Sequence, residues 1–192
     1  GIRQDLALHV FEEPADLGQP ATLAWTVRFR WPDGPRDCEA AAVDPVSGDV
    51  LLVSKKRVPA ELFRVPLEDA GELRVAEKLG NLVGIQQPDA GDLARSPLYG
   101  RYRAQVTGAD LSPNGRVLAV LNYRSIHFVV RQPGQGWQAA LATALPHLPL
   151  PWIPQAEAIA FSLDGQEMRV GSEQLPSPLV RYRIESKPQA AD

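Results

Sequence analysis

The chain has one cysteine, Cys38, in 192 residues, so no intrachain disulfide can form and the fold must rest on packing. Cys38 stands between Asp37 and Glu39. Nearby carboxylates raise a thiol pKa, which makes it a small buried hydrophobe rather than a nucleophile. Histidine is equally scarce: His9, His127 and His147 are far apart and share no metal-ligand spacing. No apolar run reaches the ~18 residues of a membrane span, so none is expected. Lys and Arg total 20 against 23 Asp and Glu, for a net charge of −3, and they are scattered. That excludes the dense basic face a nucleic-acid partner requires. The chain also lacks a Gly-x-Ser-x-Gly elbow, a phosphate-binding P-loop and a His-Glu-x-x-His zinc motif.

Turn-formers are abundant, with 18 prolines and 15 glycines, as suits a chain of short strands. Three segments share one build: Glu39 to Val53, Thr107 to Val120 and Glu157 to Val170. Each is a small-residue apolar strand, a tight turn closed by Gly48, Gly115 or Gly165, and a second apolar strand. Glycine supplies the positive φ of such a turn, and Asp or Ser can bond the turn's own backbone. A hairpin recurring in this way is the mark of a β-propeller.

Alternating segments at 5–11 and 22–31 read as two leading strands. Strands at about 39–44, 49–55, 60–66 and 72–79 make one four-stranded blade, and those at about 106–112, 116–122, 125–131 and 136–143 a second. Strands at about 157–162, 167–172 and 179–184 leave the last blade with three. Between Gly80 and Arg103 lies a long loop, of the kind that carries function. Pro146 to Pro154 holds four prolines around Trp152 and is excluded from sheet interior. No helix is expected, and the tail after Ser186 reads as disordered.

The fold class expected is therefore all-β, a partial β-propeller of about three blades plus an extra pair of strands. Its blade-like units are 1–31, 37–79, 104–144 and 155–185, with a tail at 186–192. Strand alternation places Ala41, Val43, Leu52, Leu111, Leu118, Val120, Ile159, Phe161 and Val170 in the sheet interfaces. Propellers typically have at least about four blades. The expectation is that upstream blades have been removed, that two chains assemble, or that the sheets form an open arc. Bare terminal blades would favour self-association.

Several runs carry a more specific likeness: Asp37-Cys-Glu39-Ala, Asp44-Pro-Val-Ser-Gly48, Val106-Thr-Gly-Ala-Asp110-Leu-Ser-Pro-Asn-Gly115, Gln155-Ala-Glu157-Ala-Ile and Gly171-Ser-Glu173. Together they resemble the C-terminal part of a family of uncharacterised bacterial β-propellers, similar in outline to exported phytase-like and lactonase-like ones. The resemblance implies a propeller fold and a periplasmic or secreted location, but no reaction. The chain departs from the pattern at Ala156, where the family has Gly, and at Asn114, where it has Asp.

In a propeller the innermost strand of each blade starts at one mouth of the central channel. Aligning the turns puts Glu39, Thr107 and Glu157 at equivalent positions, with Asp110 further along its strand and Asp37 two residues before Glu39. Asp37, Glu39, Asp110 and Glu157 are therefore the candidate metal ligands, an oxygen set suited to Ca²⁺ or another divalent cation. Such carboxylates can equally accept backbone N–H groups of the next blade and simply join the sheets. Two other groups bear on ligand binding. The basic run Ser54 to Arg57 can meet an anion at a channel mouth, and Tyr99, Arg101, Tyr102 and Arg103 can stack on or clamp a ligand; both also read as ordinary solvated or anchoring loops.

Two functions from different classes follow. One is a binding or protein-interaction module of the bacterial envelope, with a protein or small-molecule ligand and no nucleic-acid partner. The other is a metal-dependent hydrolase of phosphoesters or lactones working through the acidic cluster.

Overall fold

The computed structural model describes residues 4–16, 18–69 and 71–185; the expectation for the tail lies outside them. The fold is all-β and consists of four separate sheets in series. The first leading strands are β1 (Leu6–Glu12) and β2 (Thr22–Arg30). The first four-stranded meander follows as β3 (Cys38–Val43), β4 (Asp49–Ser54), β5 (Ala60–Pro66) and β7 (Glu77–Leu82). Between β5 and β7 a two-residue strand, β6 (Arg74–Val75), crosses to the first sheet and pairs parallel with β2. The third sheet is β8 (Val106–Leu111), β9 (Val117–Asn122), β10 (Ser125–Val130) and β11 (His147–Pro149). The fourth is β12 (Ala156–Phe161), β13 (Glu167–Ser172) and β14 (Leu179–Arg183). Except for β6, neighbouring strands within each sheet are antiparallel. This is a partial propeller: an arc of blades packed face to face.

The cores lie between the blades. Val50, Leu52, Phe63 and Val65 of the second sheet meet Val27, Phe29 and Trp31 of the first. The other face of β4, Leu51 and Val53, meets Leu118 and Val120 of β9. Ala119 and Leu121, on the reverse of β9, meet Ile159, Met168 and Val170 of the fourth sheet. Both faces of β4 and β9 are thus covered, which is why these strands read as nearly continuous apolar runs.

The hairpin turns repeat one local chemistry. In the third and fourth sheets the Ser112 and Ser162 hydroxyls donate to Asn114 and Asp164, and accept the Val117 and Glu167 amides. Gly48, Gly115 and Gly165 have φ near +70°, at 74°, 70° and 69°, where a Cβ is strained.

Five expectations change. The strand expected at 72–79 is two: β6 pairs with β2 of the first sheet, and β7, which closes the blade, runs on to Leu82. Ala41 and Val43 face outward, and Val43 is 53% exposed; the buried set on β3 is Ala40 and Ala42. The first sheet covers β4 and β5, and of β3 only Cys38 packs against that core, so the side carrying Ala41 and Val43 stays bare. Phe161 is only half-buried. Segment 136–143 is not a strand: it holds a short helix, α2 (Trp137–Ala140), because Trp137 and Ala140, three residues apart, both turn into the core. The fourth strand of that blade comes from the proline-rich segment instead. β11 lies on the sheet edge, where Pro146 and Pro149 interrupt no ladder on their free side. A second helix, α1 (Ala90–Arg95), sits in the long loop, started by reciprocal bonds between the side chain of one and the backbone N–H of the other for Asp89 and Asp92. Six residues are too few for apolar periodicity to show.

Candidate functional site

Glu39, Thr107 and Glu157 occupy matching places. Each interrupts the register of its innermost strand, between Cys38 and Ala40, Val106 and Gly108, and Ala156 and Ala158. A bulge re-aims its side chain, and the three are aimed at different partners. Glu39 accepts from the Lys55 ammonium of its own blade. The Thr107 hydroxyl donates to the Ala156 carbonyl at 2.7 Å, across to the next blade. Glu157 accepts from the Tyr123 hydroxyl of the preceding blade. Burial, together with that carboxylate, pushes the Tyr123 pKa well above its ordinary value.

The other two predicted ligands are also engaged. Asp110 accepts the Phe161 amide of the next blade at 2.6 Å. Asp37 pairs with Lys56 at 2.5 Å, and the hydrogen bond from that ammonium holds its carboxyl below the usual range. Among the described residues no three His, Cys, Asp or Glu side chains are placed to hold a metal ion. The structure therefore does not gather Asp37, Glu39, Asp110 and Glu157 into one coordination sphere. Asp110 and Glu157, with Thr107, tie the third blade to the fourth. Gly108 lies between these ties: a Cβ there would stand 3.2 Å from the Glu157 carbonyl oxygen, so a side chain would press the two innermost strands apart by a few tenths of an ångström. Cys38 behaves as expected, its thiol pushed up to about 11, first by burial and then by Asp37 and Glu39.

At the same end of the blades, where the innermost strands begin, the loops enclose a cleft of about 820 Å³. Five connections build it: β4–β5 with Lys55 and Lys56, the long loop with Tyr99, Tyr102, Arg103 and Gln105, β9–β10 with Tyr123, β11–β12 with Trp152 to Gln155, and β13–β14 with Gln174. Among the described residues no carboxylate lines it. Glu39 and Glu157 lie beside Tyr123: Glu39 is neutralised by Lys55, Glu157 accepts from the neutral Tyr123 hydroxyl, and Glu173 accepts from the Gln155 amide at 3.0 Å.

The long loop is pinned from behind. Asp92 is buried and ion-paired with Arg124 of the β9–β10 turn. Gly100 packs so closely on α1 that a Cβ would fall 2.3 Å from the Asp92 carbonyl oxygen. Arg103 follows, its guanidinium carbon 5.5 Å from the centre of the Trp152 ring. Its nearest carboxylate, Asp92, is 3.8 Å away, and its buried Nε has no hydrogen-bond partner among the described residues. Burial, with Arg95 nearby, lowers its pKa, so this cation is under-compensated. Trp152 is 67% exposed and Tyr99 62%. Gln155, also on the rim, takes φ = 48°, the one positive φ at a non-glycine residue among those described; such strain collects at functional positions.

Of the residues marked in the sequence, Lys55, Lys56, Tyr99, Tyr102 and Arg103 line the cleft and Arg57 and Arg101 do not. Tyr123, Trp152 and the three glutamines went unmarked. The available signal was a Trp held between Pro151 and Pro154, which a buried segment seldom tolerates.

No protein-family profile and no curated protein matches the chain. Among solved structures it is similar to the crystal structure of TolB from Acinetobacter baumannii, at 11% identity and a TM-score of 0.40, covering 86% of this chain and 33% of that one. The chain thus spans about a third of that protein's length, and the argument for blades rests on the sheets themselves.

Proposed function

We propose that the protein is a non-catalytic binding module of propeller type whose ligand seat is the cleft formed by the loops of the second, third and fourth blades. The observation that carries this reading is Arg103: a cation at the wall of a small-molecule-sized cleft, stacked on an exposed Trp152 and lacking a hydrogen-bonding anion of its own. Concave sites with aromatic walls and a few convergent polar groups are the usual form of ligand pockets. The carboxylates that a hydrolase would need are occupied in joining blades or in pairing with lysines. The resemblance to exported bacterial propellers supports a place at the cell envelope for this binding.

A fragment library screened by amide chemical shifts tests the reading. Hits are expected to move the signals of Arg103, Tyr123 and Trp152 together. A set of hits that all map to other faces of the blades would sink it.

A further inference from the structure

We propose that the cleft takes a small organic anion built on a planar ring, with the ring against the exposed face of Trp152 and a phosphate or carboxylate group meeting Arg103. The inference rests on the binding reading above and names its ligand class.

Three features of the site support it. The cationic side chains are unequally committed. Lys55 and Lys56 are held by Glu39 and Asp37, whereas the Arg103 Nε is buried without a hydrogen-bond partner among the described residues, 3.8 Å from an Asp92 already paired with Arg124. A planar oxyanion matches a guanidinium fork better than a spherical ion does. Next, aromatic faces are in place: Trp152 and Tyr99 are largely exposed at the rim, and a ring on Trp152 would be stacked on the side that Arg103 does not cover. Finally, Gln105, Gln155 and Gln174 offer both donors and acceptors, which suit the polar edge of a heterocycle or a ring hydroxyl. A volume of about 820 Å³ fits a ligand of this size rather than a protein surface. Among the described residues the lining holds Lys55, Lys56 and Arg103 and no carboxylate, so the charge complement is an anion.

Calorimetric titration of the intact chain with four probes tests this: adenosine monophosphate and coumarate, which carry ring and charge, adenosine, which carries only the ring, and inorganic phosphate, which carries only the charge. At least one ring-bearing anion should bind about tenfold or more tighter than adenosine and phosphate. Preference for adenosine monophosphate assigns the natural ligand to nucleoside phosphates, and preference for coumarate to aromatic carboxylates. Arg103→Gln should remove about tenfold from the anions and leave adenosine unchanged. Trp152→Ala, at a position 67% exposed, should weaken the ring-bearing probes about fivefold and spare phosphate. Neither ring-bearing anion binding below about 10 mM would overturn the proposal. So would adenosine binding as tightly as its phosphate, an acidic peptide without rings outcompeting both anions, or affinities untouched in Trp152→Ala. If neutral fragments still bind in the cleft, the ligand class fails and the binding module stands; if nothing binds there, both fail.

Discussion

At the hairpin end of the blades, Arg131 lies 4.2 Å from the centre of the Trp137 ring, and both side chains donate to Asp44 at about 3 Å, 2.9 Å for the guanidinium and 3.0 Å for the indole. At the loop end, Arg103 lies 5.5 Å from Trp152, while Asp92 is taken by Arg124. The residue types are the same, an Arg, a Trp and an Asp, but the outcomes differ. Trp137 is 6% exposed and Trp152 is 67% exposed. Arg131 also donates to the Gly115 carbonyl at 2.6 Å, so its charge and its donors are used inside the protein. Burial alone would raise the Asp44 pKa, yet the bonds from Trp137, the Val46 amide and Arg131 bring it below normal. The first set staples the second blade to the third. The second set has the same parts with the carboxylate withdrawn, and a staple lacking its anion is a receptor for one.

The comparison breaks most visibly at Asp44. Asp44→Ala leaves Arg131 and the Trp137 N–H unpaired in the interior and should cost about 3–5 kcal/mol in urea denaturation. A loss under about 1 kcal/mol, the worth of an exposed pair, would mean that the staple is no staple.

A second test uses the interior of the third blade. His127 is buried, its Nε2 bonded among Asn122 and Ser125 and its Nδ1 without a partner among the described residues, with the His147 ring 5.6 Å away. Burial first, and His147 second, push its pKa down to about 4. The unfolded chain titrates near 6.5, so between about pH 6.5 and 4 the unfolded state binds the proton and the fold does not. Stability from this residue is complete above pH 6.5, falls as pH drops towards 4, and is gone below it, a change of up to about 3 kcal/mol. His127→Gln should flatten that part of the pH profile; an unchanged slope would mean that other groups set it.

The smallest effect is expected at the loop end. Arg103→Met removes a desolvated charge without orphaning a carboxylate, since Asp92 keeps Arg124. Stability should move by no more than about 1 kcal/mol in either direction. A loss equal to that of Asp44→Ala would make the two ends alike and remove the contrast on which the cleft was assigned.

The blades were legible because their signal is local. Asp44 to Gly48, Ser112 to Gly115 and Ser162 to Gly165 each encode a turn in a few neighbouring residues, and the turns bring the strand pairs with them. Alignment on those turns also found Glu39, Thr107 and Glu157 as equivalents, which the bulges bear out. What the three side chains touch was not legible, because Lys55, Ala156 and Tyr123 come from connections that no spacing relates to them. The cleft was hidden for the same reason. Its parts lie near positions 55, 102, 123, 153 and 174, so the Lys55 and Tyr99 to Arg103 runs looked like two unrelated loops. On β3 the error was one of parity. Alternation says that one face is inward, but only the extent of the neighbouring sheet says which.

The short excursion of the chain into β6 has its own consequence. β1 and β2 can zip as a local hairpin, but their third strand arrives only after β5 is laid down, joining Phe29 to Arg74 and Arg30 to Val75. The Ala76 amide adds a bond to the Arg30 carbonyl at 2.9 Å. The N-terminal hairpin is therefore sewn in by a stitch from the middle of the next blade, and the two sheets gain or lose their order together. Removing that hairpin would strip the cover from Phe63 and Val65 and leave the stitch with nothing to hold. The β1–β2 hairpin thus belongs to the same cooperative unit as the second blade and is no detachable appendage of it.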